Sequence, residues 1–182
     1  MKKLFFLLAV FALIFCASAA SSGLERSVEI GQKIALTLSA DNCRIVIAPK
    51  ADPTVRFAAS ELQEFLSAIF GKKIPVTQTP GKGNNIFVGV CAASEKLGLD
   101  VSKLARDGFY LRTGGSNIYI LGRNHKTERT DVVARSGGYW SFDYERATLF
   151  GVYDFLERFC GVRFYFPGEL GTIVPQKKTA VF

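Results

Sequence analysis

The stretch ATLFGVYDFLERFCGVRFYFP, Ala147 to Pro167, constrains the fold more than any other. Leu149, Val152, Tyr153, Leu156, Phe159 and Cys160 recur at three- and four-residue steps. That spacing places them on one face of a helix, with Asp154, Glu157 and Arg158 on the other. Gly161 stands where a left-handed cap would end the helix. Val162 to Phe166 reads as a short strand, broken by Pro167-Gly168. A buried helix turning tightly into a strand is the centre of a core, and it carries no chemistry of its own.

The same grammar occurs earlier. Asp52 is a good N-cap and Pro53 suits the first helical position. Val55, Ala58, Ala59, Leu62, Phe65, Leu66 and Ile69 then follow at helical spacing, and Gly71 is the stop. Ile74 to Thr77 reads as a strand at a sheet edge, because Pro75 cannot donate to a ladder. Two amphipathic helices, each followed by glycine and a strand, predict an α+β fold.

The remaining elements are shorter. Lys33–Leu38 and Arg44–Ala48, split by the turn-forming Ser39-Ala40-Asp41-Asn42, read as an opening hairpin. Asn85 to Val90 reads as a buried strand and Ala92 to Leu97 as a short helix. Gly108–Thr113 and Asn117–Gly122 flank Gly114-Gly115-Ser116 and read as a hairpin. Arg123 to Tyr144 lacks periodicity and is expected to be a long loop of the kind that carries function. Gly171 to Pro175 reads as a last strand, and the residues from Gln176 onward as the domain end.

The first nineteen residues belong to a different problem. Lys2 and Lys3 precede an apolar run of twelve residues, Leu4 to Phe15, and Ala17-Ser18-Ala19 is a small-residue cleavage site. This is the pattern of a secretory signal peptide, with Ala20 as the new N-terminus. The run is shorter than the ~20 apolar residues a bilayer span requires. Bulky Phe15 before Cys16 argues against lipid attachment there. The expectation is a protein exported to the periplasm or the extracellular space, with no membrane association beyond the cleaved signal. Residues 20–32 form a polar lead-in, and residues 33–182 are expected to form one domain.

Composition narrows the function classes. Loss of Lys2 and Lys3 takes the formal net charge from +7 to +5. No block of lysine and arginine accompanies it, which argues against nucleic acid as a partner. Cys43, Cys91 and Cys160 permit at most one bridge, and they read more simply as small buried hydrophobes. No paired cysteine spacing exists and His125 is the sole histidine, so no metal site is expected. Gly89 ends a strand as phosphate-binding turns do, but no GxGxxG or GxxxxGK[ST] motif surrounds it, and no cofactor is implied.

Candidate site residues cluster in the long loop. Trp140, the sole tryptophan, has Tyr139, Phe142 and Tyr144 around it. Such a group can stack on a sugar ring, anchor a partner domain or fold back onto its own. Asp143 and Glu145 beside it suit carbohydrate chemistry, which needs paired carboxylates, yet nothing fixes their separation. His125 reads as a solvated loop residue and Glu169 as a turn residue. No catalytic residue is assigned.

In order, ASELQEFLSAIFGKKIPV, NIFVGV, DGFYLRTGGSNIYILGR and RATLFGVYDFLERFCGVRFYFPGELGTIVP resemble the N-terminal domain of family 67 α-glucuronidases and family 20 β-N-acetylhexosaminidases. The resemblance runs from about Lys33 to Pro175. It implies a mixed β-sheet with two main helices packed on one face. It also implies a domain that precedes a catalytic (β/α)8 barrel bearing the catalytic carboxylates. The chain ends at Phe182, where a barrel of about 250 residues would begin. The expectation is therefore a non-catalytic accessory domain of a secreted glycoside hydrolase. The alternatives are a standalone glycan-binding module and a truncated or split protein that binds a partner.

Overall fold

A computed structural model describes residues 36–125 and 145–182. All of them lie in the compact unit Lys33–Phe182. The elements in chain order are β1 (Thr37–Leu38), β2 (Cys43–Val46), α1 (Pro53–Phe70), β3 (Val76–Thr77), β4 (Asn84–Val88) and α2 (Ala92–Lys96). They continue with a 3-10 turn (Val101–Lys103), β5 (Phe109–Gly114), β6 (Asn117–Gly122) and α3 (Ala147–Phe155), which runs on as a π-helical turn (Leu156–Cys160). β7 (Arg163–Phe164), a second 3-10 turn (Glu169–Gly171), β8 (Thr172–Ile173) and β9 (Ala180–Val181) complete the chain.

The main sheet is mixed, in the order β3-β2-β4-β6-β5. β2 pairs in parallel with β3 and β4, β4 in parallel with β6, and β5 antiparallel with β6. Alternation along each strand divides the side chains between two faces. Ile45, Ile86, Val88, Ile118 and Ile120 join the buried faces of α1 and α3 in one core. Val46, Phe87, Tyr119 and Leu121 point the other way and meet Leu99, Ala93 and Val101. Phe87 and Tyr119 are register partners on that second face, stacked at 5.0 Å. The central strands are apolar on both faces because both faces are covered. The two long helices share one face, and α2 with its following turn covers the other.

Both helices obey their local signals. The Asp52 carboxylate accepts from the Val55 N–H at 2.8 Å. α1 stops at Gly71, whose φ of 67° is left-handed. The predicted face of α1 is the buried one, with Phe65 half-buried at its margin. Gly161 stops α3 in the same conformation, and the Val162 N–H closes back on the Leu156 carbonyl. Phe155, outside the predicted face of α3, is fully buried because apolar groups surround this helix on several sides.

Three expectations need correction. The opening hairpin does not form: β1 pairs with β9, not with β2. Both edges of β2 are occupied by β3 and β4, so no ladder position is left for β1. The strand within Gly171 to Pro175 is thus not the last one: β9 follows it, inside the domain expected over residues 33–182. The Leu36 and Phe182 backbones exchange both hydrogen bonds, and the Phe182 ring packs on Phe155 and Phe159. The strand expected over Val162 to Phe166 shrinks to β7, and Tyr165 and Phe166 turn outward.

The segment after β8 also closes both long helices. The Gln176 amide donates to the Ala68 carbonyl, and the Lys177 N–H donates to Ile69. The Lys177 ammonium donates to the Cys160 carbonyl at 2.9 Å, where a cation complements the helix dipole. Lys177→Ala is expected to lower the unfolding free energy by about 1 kcal/mol in urea titrations, and Lys177→Arg by less.

Candidate functional site

Two surfaces of the domain are candidates for function. The first is the base of the segment that carries Tyr139, Trp140, Phe142 and Tyr144. Those four residues and Asp143 lie outside the described residues. The two strands of chain that lead to them are described. Arg123 and Glu145 form a bidentate pair, with Nε at 2.9 and 2.8 Å from the two carboxylate oxygens. Asn124 bridges Arg146 in antiparallel fashion, and the His125 N–H donates to the Glu145 carbonyl at 2.7 Å. The Asn124 amide donates to the Thr148 hydroxyl, which in turn bonds to both backbone groups of Gly122. Glu145 is therefore a structural carboxylate. Its hydrogen bonds from Arg123 hold it below the ordinary carboxylate range.

A depressed carboxylate stabilises the fold above its unfolded pKa and loses that contribution as pH falls through the folded value. Protection factors for the His125 and Ala147 amides, taken against the intrinsic exchange rate at each pH, should accordingly fall at pH below the ordinary carboxylate range. Glu145→Gln should produce the same fall at neutral pH, measured by hydrogen exchange.

The second surface carries no motif in the sequence. β7 and β8 form a small antiparallel hairpin whose turn spans residues 165–171 and whose tip, residues 165–173, takes in β8 beside it. The Tyr165 N–H donates to the Gly171 carbonyl, and the Gly168 carbonyl accepts from the Gly171 N–H and the Thr172 hydroxyl. A Cβ on Gly171 would lie only 2.0 Å from the Phe166 carbonyl oxygen, so glycine is required there. This hydrogen-bonded tip displays Leu170 at 94% exposure, Tyr165 at 67%, Phe166 at 57% and Ile173 at 53%. Large apolar groups held outward together on an ordered turn make this a candidate contact surface.

Behind the tip, an open groove of about 880 Å³ separates the hairpin from α1. Glu61, Glu64 and Phe65 of α1 face Tyr153 of α3 and Phe164 and Phe166 of the hairpin. The Tyr153 hydroxyl donates to Glu61 at 2.8 Å. Burial, with Glu61 beside it, raises the phenol above its ordinary range, so it remains a donor. The Phe164 ring meets Phe65 and Tyr153 edge-on at 5.4 and 5.3 Å.

Other sequence candidates are structural. Gly89 has a φ of 81° and its N–H donates to the Ile120 carbonyl. A Cβ there would strike Val55 at 2.6 Å, so this glycine admits α1 to the strand end. Cys43, Cys91 and Cys160 are free thiols. Burial pushes Cys43 up to about 11 and Cys160 up to about 12, which keeps both protonated and unreactive. Glu169 is exposed at the hairpin tip.

The model of the glycosyl hydrolase family 67 N-terminus matches residues 30–128, more than half of the chain. The chain belongs to that family. Over 107 residues it is 31% identical to Alpha-glucuronidase A of Emericella nidulans, which covers 56% of this chain and 10% of the relative. The chain thus spans about a tenth of the length of that relative. In this family 67 domain the matched region holds the whole main sheet and α1. The tip, and the wall of the groove that it supplies, lie beyond it.

Proposed function

We propose that this chain is a non-catalytic accessory domain of a carbohydrate-active glycoside hydrolase. It packs against a catalytic (β/α)8 barrel, downstream in the same polypeptide or on a separate chain. The observation that carries the reading is the ordered tip with Tyr165, Phe166, Leu170 and Ile173 turned outward on a family 67 domain. Burying those four groups against a partner would remove their apolar surface from water. A barrel of the family 20 kind is the alternative partner. The Leu4–Phe15 run and the Ala17-Ser18-Ala19 site support export to the periplasm or beyond. On a panel of aryl glycosides that includes α-glucuronides, the purified chain should release no aryl alcohol. Turnover that a single substitution abolishes would overturn the reading.

A second reading is a glycan-binding role for Tyr139, Trp140, Phe142 and Tyr144. The residue set supports it, since aromatic rings stack on sugars, and the Arg123–Glu145 pair ties together the two ends of chain that lead to it. Trp140→Ala should then abolish retention on polysaccharide; unchanged retention would end this version.

A further inference from the structure

We propose that the groove between α1 and the β7–β8 hairpin seats an arginine side chain of the catalytic partner, an inference that rests on the accessory-domain reading. The charge balance points there first. Glu61, Glu64 and Glu169 line the groove, and no lysine or arginine lines it. The chain as a whole carries a formal charge of +7, so this face has the opposite sign from the rest of the protein. None of the ion pairs among the described residues engages any of the three carboxylates. A docked cation would be the only positive charge in that lining.

The walls then select the kind of cation. Glu61 and Glu64 are three residues apart on one helix and project to the same side. The Tyr153 hydroxyl holds Glu61 in place, so less side-chain freedom is lost when a ligand arrives. Phe164, gripped edge-on by Phe65 and Tyr153, backs the groove, and the half-exposed Phe166 stands at its lip. A planar guanidinium can stack on such rings while it donates forked hydrogen bonds to carboxylates, whereas an ammonium is a hydrated point charge. A uronate would be repelled by the same carboxylates. A neutral sugar would use the rings but would have no need of three anions. The apolar tip beside the groove supplies the water-excluding rim within which a charged anchor counts for most.

The test is an NMR titration of the isotopically labelled, purified chain with the peptide acetyl-Leu-Arg-Leu-amide. Saturable shifts are expected at Glu61, Glu64, Phe164 and Phe166. The citrulline peptide, equal in shape but uncharged, should bind about tenfold more weakly. Glu64→Gln and Glu61→Gln should each weaken the arginine peptide severalfold with the spectrum otherwise unchanged, since glutamine at 61 still accepts from Tyr153. Equal binding of the citrulline peptide, no saturable shift, or binding of cellohexaose at these residues in place of the peptide would overturn the inference. Association through the tip that persists while the peptide fails would sink the groove and leave the accessory-domain reading standing.

Discussion

Phe155→Ala should remove about 3–5 kcal/mol of stability in urea denaturation, a large fraction of the margin of about 5–15 kcal/mol typical of a domain. Phe155 is fully buried on α3, and its ring lies 6.0 Å from Phe159 and 5.4 Å from Phe182. It joins the helix, the π-helical turn and the C-terminal strand, so truncation opens a cavity that three elements share. Neither β1 nor β9 has another strand partner to close it. Removal of Ala180 to Phe182 should reproduce much of the effect, because it exposes the same ring. A Phe155→Leu variant, which keeps most of the volume, should lose less than half as much.

Gly122→Ala should cost about 3 kcal/mol by overpacking. A Cβ at Gly122 would stand 2.6 Å from the Ala147 Cβ, 2.8 Å from the Ala147 carbonyl carbon and 3.0 Å from the Gly108 carbonyl oxygen. Two of those atoms are backbone and cannot rotate away. Gly122 ends β6 where α3 begins, and Thr148 bonds both of its backbone groups. Relief would lift the start of α3 from the sheet and break those bonds. Gly115→Ala, in the β5–β6 turn where no atom lies within 4 Å, is the control. It meets no clash, although its φ of 60° still costs a little. The difference between the two variants isolates the steric term.

These effects explain which parts of the fold could be read from the chain. α1 was legible to the residue because Asp52, Pro53 and Gly71 act within a turn of the helix ends they define. The β5–β6 hairpin was legible because its glycine-rich turn joins neighbours. The β1–β9 pair was not, since Leu38 and Ala180 are joined by tertiary packing and have no local signal. Tyr165 and Phe166 alternate like buried strand residues, yet the tight Gly168–Gly171 turn swings them outward. The groove was equally hidden, because Glu61 sits on the polar face of α1 and meets Tyr153 across 92 residues of chain. The aromatic cluster at 139–144 drew attention through composition alone, whereas the tip is defined by exposure, which composition does not report.

The central claim is that the 165–173 tip is where a catalytic domain docks. Its most direct test is analytical ultracentrifugation of the purified chain with a family 67 catalytic barrel expressed without its own N-terminal domain. The account predicts a one-to-one complex that Leu170→Asp weakens at least about tenfold, with the stability of the free chain unchanged because Leu170 touches little of its own fold. No complex with the parent chain, or a complex that Leu170→Asp leaves intact, would contradict it.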